Sequence, residues 1–300
     1  MRILVLGATG FLGRHAVGQL RALPGARVLD GGRAPGADVP VDLATADPAH
    51  LAAARRAAAP DAVVNCAGAV DGSAVNLAAV NARGPAVLCE ALREAAPAAR
   101  LVHLGSAAEY GPTDGNRPVT ETTPARPVGL YGATKLAGTL AVTASGLDAV
   151  VLRLFNLVGP GSPASSLPGR LAAELHRAGP DGSVRTGDLS AYRDYVDARD
   201  VAHAVTLAVT APAPLPPLLN IAGGRARRVR EIADGLVAAA GFRGRIEEDG
   251  GGSTRSAAVS WQQADITAAA HALRWAPRHP LADSLADLWA ETRTRSESLR

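Results

Sequence analysis

Apolar and polar positions fall in blocks along this chain. Short runs rich in leucine or β-branched residues, RILVL from Arg2, ARVLD to Asp30, DAVVNCAG from Asp61 and RLVHLGS to Ser106, alternate with alanine-rich stretches of helical length. The stretches predict helices from about Phe11, around Leu51 to Ala59, and up to about Ala96. Strands that read as continuous apolar runs, each followed by a helix, belong to a parallel sheet covered on both faces, because both strand faces are then buried. The first half predicts a doubly wound α/β fold.

The rhythm resumes with a helix through Tyr131 to Lys135 and a strand DAVVLRLFN, Asp148 to Asn156, then loosens into a Gly/Pro/Ser segment from Gly159 to Gly169. APAPLPPLLN reads as a proline-rich loop into a short strand, and EEDGGGST as a flexible connector. The expected division is a sheet domain of residues 1–155 with 193–220 and a smaller lobe of residues 156–192 with 221–300.

Composition narrows the class. Three hundred residues at 47% hydrophobic suffice for a core without disulfides or metal. Cys66 and Cys89 match neither zinc nor redox spacing and are expected to be reduced; no metal is expected. The net charge of +3 is dispersed, and the densest basic run, GRARRVR from Gly224 to Arg230, lacks neighbouring aromatics, which argues against a nucleic-acid partner. No stretch approaches the ~20 apolar residues of a membrane span, so a cytoplasmic protein without membrane contact is expected.

Chemistry enters with GATGFLG. Gly7, Gly10 and Gly13 follow the first strand and open a helix, where the backbone can turn tightly and free N–H groups can meet a pyrophosphate. Which dinucleotide is held depends on the second strand. If it stops at Asp30, a carboxylate is available for the ribose 2′-hydroxyl of NAD(H); if it runs to Gly32, Arg33 faces a 2′-phosphate. Gly32 lies nineteen residues after Gly13, close to the spacing expected of the ribose reader, and this leans to NADP(H).

Lys135, in YGATK, is the only lysine; the other thirty of the 31 Lys/Arg residues are arginine. Tyr131 stands four residues before it, on one helix face. With four tyrosines in 300 residues, chance gives this offset about once in a hundred, so a chemical reason is favoured. A free tyrosine has a pKa of about 10, and a compact ammonium nearby favours the phenolate that acid–base work near neutrality requires.

The ordered set GATGFLG, VDL (Val41 to Leu43), NCAG (Asn65 to Gly68), VNARG (Val80 to Gly84), GSAAEYG (Gly105 to Gly111), YGATK, LRLFNLVGPG, YRDYVDARDVAHA and NIAGG resembles the extended short-chain dehydrogenase/reductases, the branch of nucleotide-sugar epimerases, dehydratases and reductases. The resemblance implies a Rossmann-type sheet with a smaller C-terminal substrate lobe. It implies catalysis by Ser106, Tyr131 and Lys135. It places Gly7, Thr9, Gly10, Phe11, Leu12 and Gly13 at the pyrophosphate, Asp42 and Leu43 at the adenine, and Cys66, Ala67 and Gly68 at the central phosphates and ribose. Asn81 and Phe155 would lie nearby, with Lys135 also on the nicotinamide ribose. Asn156, Arg193 and Arg255 match positions that contact a sugar nucleotide. Read without the family, Ser106 could equally cap the next turn and Asn81 could be a structural amide.

Dehydratases and decarboxylases of this kind carry acidic residues just after the hydroxyl residue, where this chain has Ala107 and Ala108; Glu109 would point away if the segment is extended. The resulting expectation is NADPH-dependent reduction of a 4-keto sugar nucleotide. A 4-epimerase holding NAD, and a ketoreductase of a non-sugar metabolite, are the alternatives. A homodimer packed through the Tyr131 helix and the long helix before it is expected by the same resemblance.

Overall fold

The computed structural model describes residues 1–113, 117–249 and 259–297. The elements run β1 (Arg2–Leu6), α1 (Phe11–Arg21), β2 (Arg27–Gly32), β3 (Val39–Pro40), α2 (Pro48–Ala58), β4 (Ala62–Asn65), α3 (Ala74–Ala78), α4 (Gly84–Ala95) and β5 (Arg100–Ser106). They continue with α5 (Leu130–Thr143), β6 (Ala149–Leu154), β7 (Asn156–Val158), α6 (Leu167–Ala178), β8 (Ser183–Thr186), β9 (Tyr192–Asp197), α7 (Ala198–Thr210), β10 (Leu218–Ile221) and β11 (Ala226–Arg228). The last are α8 (Val229–Ala240), β12 (Arg245–Glu248), α9 (Thr267–Leu273) and α10 (Leu281–Glu297).

Seven strands form one parallel sheet in the order β10-β6-β5-β4-β1-β2-β3. Successive strand residues serve opposite faces. Ile3, Val5, Val64, Val102 and Leu152 pack with Leu20 of α1, Val205 of α7 and Trp275. Leu4, Leu6, Val63, Leu101 and Val151 pack with Leu51 of α2, Leu88 and Leu92 of α4 and Val142 of α5. This is the doubly wound Rossmann-type arrangement that the apolar runs predicted. A separate core joins Leu171 and Leu175 of α6 to Ile232 and Leu236 of α8 and to Leu285 and Leu288 of α10. Among the described residues no helix is long and apolar enough to cross a membrane.

Two elements differ from their sequence reading. The run expected as one strand from Asp148 to Asn156 breaks at Phe155: β6 stays in the large sheet, while β7 pairs with β9 in a second sheet, β11-β9-β7. The long helix before Ala96 carries a π-helical turn over Ala79–Arg83, closed by the Gly84 N–H on the Ala79 carbonyl. Pro85 has no N–H for the Asn81 carbonyl four residues earlier, and a helix deprived of that bond widens locally. The connector EEDGGGST lies outside the described residues from Gly250 on.

The widened turn is where α5 docks, and it docks closely because Gly138 has no side chain: a Cβ there would stand 2.1 Å from the Asn81 carbonyl oxygen. Gly138→Ala is therefore expected to lower stability by about 1–3 kcal/mol through overpacking, read as a lower urea midpoint at constant slope. Gly18→Ala, on α1 with no atom within 4 Å of the added carbon, is expected to move the midpoint the other way, by about 0.4–1 kcal/mol.

Candidate active site

The strands on either side of the boundary between β1 and β4 send their connections to opposite faces of the sheet, which leaves a crevice at their carboxyl ends. The glycine turn fills one wall of it. Gly7 has φ +75°, and a Cβ there would meet the Ala67 backbone nitrogen at 2.9 Å; a Cβ on Gly13 would stand 2.0 Å from the Gly7 carbonyl oxygen. Gly10 is the N-cap of α1, and among the described residues no side chain caps it. The first-turn amides of Phe11, Leu12 and Gly13 thus face the crevice at the positive end of the helix, with Thr9 exposed beside them. A diphosphate fits this cradle, and side chains do not.

Across the crevice, the Ala67 N–H is held by the Asn65 side-chain oxygen at 3.1 Å and Gly68 is exposed. Cys66 is partly covered, and burial pushes its thiol up to about 12 against the pull of Lys135. The second strand runs on to Gly32, with Gly7 N–H bonded to the Gly31 carbonyl and Val41 N–H to the Gly32 carbonyl. Asp30 is not at the strand end; it turns to Arg21 of α1, 3.3 Å away. Arg33 follows the strand, exposed. Asp42 accepts the Ala44 N–H, and Leu43 is buried against α4.

Ser106, Tyr131 and Lys135 come from two neighbouring elements at the same sheet edge. Ser106 ends β5, and its hydroxyl oxygen accepts the Ala108 N–H at 3.2 Å. The capping role is therefore real, and it occupies an acceptor position while leaving the hydroxyl hydrogen to donate. Tyr131 lies in the first turn of α5, half-buried. Lys135, one turn further, is 5% exposed; its ammonium donates to the Leu104 carbonyl at 2.6 Å and lies 3.9 Å from the place a Gly68 Cβ would occupy. Burial lowers the Lys135 pKa, opposed by the charge of Glu109. Gly132 lets α5 approach, since a Cβ there would be 2.4 Å from the Ala108 carbonyl oxygen. The Asn81 amide is tied to both backbone groups of Ala69, at 2.9 and 2.8 Å, which pins the loop after Gly68. Phe155 is buried against Tyr110.

The segment after Ser106 is not extended. Ala107–Glu109 form a 3₁₀ turn, and Glu109 swings inward to full burial, where it pairs with Arg153 of β6 at 2.8 Å. The Arg153 guanidinium also lies 4.3 Å from the Tyr110 ring centroid, and the Tyr110 hydroxyl donates to Asn220 at 2.7 Å. The sequence reading missed this network. An arginine inside the apolar run VVLRLF was the available signal, because a charge in a buried strand requires a partner.

In the second sheet, β7 and β9 set Asn156 opposite Tyr195, with hydrogen-bonded side chains, and Arg193 two residues before it, 6% exposed. Arg193 donates to the Tyr192 carbonyl at 2.7 Å, and burial lowers its pKa. Asp194 turns the other way and accepts the backbone N–H groups of Gly223 and Ala264. Arg255 lies outside the described residues. In the basic run, Arg227 pairs with Glu231, Arg228 bonds the Tyr192 hydroxyl and Arg230 pairs with Glu248.

The model of the NAD dependent epimerase/dehydratase family matches residues 3–222. Among curated proteins, the dTDP-6-deoxy-L-talose 4-dehydrogenase (NAD(P)(+)) of Kitasatospora kifunensis is 38% identical over 98% of this chain and 96% of its own length. Among solved structures, MoeE5 in complex with UDP-glucuronic acid and NAD is 27% identical, with a TM-score of 0.85 over 98% of this chain and all (100%) of that one. RMD from Pseudomonas aeruginosa complexed with NADPH shares the fold, at 22% identity and a TM-score of 0.85 over 98% of this chain and 99% of that one.

Gly7→Ala is expected to weaken binding of both NADH and NADPH at least about tenfold in fluorescence titrations, because the added carbon collides with Ala67 in the cradle itself. Gly25→Ala, also at positive φ but with no atom within 4 Å, is expected to leave both affinities unchanged.

Proposed function

Because the chain belongs to the NAD dependent epimerase/dehydratase family, we propose that it is an oxidoreductase of sugar nucleotides, an NADPH-dependent 4-ketoreductase of a dTDP-linked 6-deoxyhexose. The observation that carries the reading is the Lys135 ammonium, buried at the sheet edge between Leu104 and Gly68 with Tyr131 one turn away. The similarity to the talose dehydrogenase over nearly the whole of both chains supports the substrate class. The course of β2 past Asp30 to Gly32 supports Arg33 as the reader of a 2′-phosphate, with NAD(H) as the lesser cofactor.

The glycine turn, Ala67, Gly68 and Lys135 would hold the dinucleotide, and its nicotinamide supplies the hydride when bound. The chain's own groups manage the oxygen of the substrate. Ser106, with an acceptor position occupied by Ala108, donates its hydrogen to the ketone oxygen. Tyr131 delivers a proton to the same oxygen as negative charge develops there, and Lys135 stabilises the phenolate left behind. Ala107 and Ala108 offer no second acid or base, and Glu109 is committed to Arg153, so loss of water has no proton carrier here. Arg193 and Asn156, whose positions match substrate contacts in the resemblance, would hold its diphosphate. The exposed Val75, Val128, Leu130 and Leu140, on and beside α3 and α5, support a homodimer joined through that face.

Purified protein given a dTDP-4-keto-6-deoxyhexose is expected to consume NADPH stoichiometrically, followed by loss of its near-ultraviolet absorbance. Tyr131→Phe is expected to lower kcat by about 100- to 10,000-fold while NADPH affinity stays within about twofold. Turnover unchanged by that substitution would sink the reading, and epimerised product without net cofactor oxidation would replace it with the epimerase. Arg33→Ala is expected to raise the KM for NADPH about tenfold or more over that for NADH, the size of one charge-assisted hydrogen bond.

A further inference from the structure

We propose that Glu109, held by Arg153, is a positioning residue that fixes the main chain of Ser106 and so aims its hydroxyl at the substrate. The proposal rests on the reading of Ser106 given above, and it concerns two residues that never reach the crevice.

The contacts are reciprocal. One Glu109 carboxylate oxygen accepts the Ser106 N–H at 2.7 Å, while the Ser106 hydroxyl oxygen accepts the Ala108 N–H. The other carboxylate oxygen takes two guanidinium bonds from Arg153, at 3.0 and 2.8 Å. Glu109 is wholly buried and the Arg153 side chain 4% exposed. The carboxylate lies beneath Gly105, where a Cβ would stand 2.9 Å from it, so the strand end is shaped around this group.

Fold stability alone is a poor reason for such a pair. Burying two ions costs several kcal/mol each, and an apolar pair of like volume is often as stable or more so. What an apolar residue cannot do is accept the Ser106 N–H. Ala107 and Ala108 have only methyl groups, which cannot hydrogen-bond the turn, and it is held from outside. Arg153 anchors it to β6, Tyr110 and Asn220 carry the anchor on to β10, and Gln262 donates to the Ala107 carbonyl at 3.0 Å from the other side. A serine hydroxyl displaced by about 1 Å loses roughly 100-fold in rate, which is a sufficient reason to keep the ions.

Two paired substitutions separate positioning from packing. Both Glu109→Gln with Arg153→Met and Glu109→Leu with Arg153→Met remove both charges, but only the glutamine keeps an acceptor for Ser106. Both withdraw the Glu109 charge from Lys135 to the same degree, and so are expected to match each other in melting temperature within a few degrees and in NADPH affinity within about twofold. The leucine pair is expected to lose about 100-fold in kcat at little changed KM, and the glutamine pair to stay within about tenfold. Ser106→Ala should cost the parent and the glutamine pair about 100-fold and the leucine pair no more than about threefold, the non-additivity of residues acting through one another. Equal cost in all three backgrounds overturns the proposal, as does a leucine pair that turns over like the parent.

Amide hydrogen exchange at Ser106 decides the question without substrate. Exchange at least about tenfold faster in the leucine pair and restored in the glutamine pair supports it, and equal exchange in all three overturns it. A parent protein with no turnover on any 4-keto sugar nucleotide would sink only the functional reading. Should the leucine pair not fold, Arg153→Lys, which keeps the charge and loses the fork, is expected to speed Ser106 exchange; exchange unchanged in that variant overturns the proposal.

Discussion

One ammonium sets the terms for this molecule. Lys135 is almost wholly buried, and its desolvation is met by a 2.6 Å bond to the Leu104 carbonyl and by the field of Glu109. A buried cation needs a hydrogen-bond partner, and a favourable field lowers its cost further. Here the bonded partner is main chain at the end of β5, and the favourable field comes from a carboxylate in the turn just beyond it, itself paired with Arg153. The helix that carries the lysine must lie against that strand end, and it does so only because Gly132 and Gly138 leave room for the Ala108 and Asn81 carbonyls.

The same constraint explains why the surrounding loops are tied by buried polar groups rather than by apolar packing. Asn81 bridges the Ala69 backbone, Asn65 holds Ala67, Glu109 holds Ser106 and Asp194 holds Gly223 and Ala264. In each case a buried side-chain oxygen accepts main-chain N–H groups of a partly buried loop. The cysteine in the crevice wall stays a thiol through burial and takes no part in holding these loops.

The break at Phe155 has a comparable effect at larger scale. It passes the chain from the large sheet to the small one within a single residue, and β7 then lies beside β9. Asn156 and Tyr195 become partners across β7 and β9 by this route, and Tyr195 joins the core of the second layer. Arg199 bridges Asp197 at the start of α7 and Asp287 of α10, at 2.7 Å each, and so ties the two layers together behind them.

How much of this was legible in the chain follows from the range of each interaction. The alternation of apolar runs and helical stretches, the glycine turn after β1, and the tyrosine and lysine on one face of α5 depend on neighbours within a few residues, so spacing alone determined them. The end of β2 at Gly32 was left open by the sequence, because Asp30 is drawn to Arg21 on another element. The inward turn of Glu109 was invisible, since alternation holds only for an extended chain and the partner, Arg153, is 44 residues away. The strand break at Phe155 was settled in the same way, by its pairing partners, whereas the widened turn at Asn81 has a local cause in Pro85. Local spacing determined which groups this protein possesses; only tertiary contact decided which of them face the crevice, because a buried charge or carbonyl goes where its partner is.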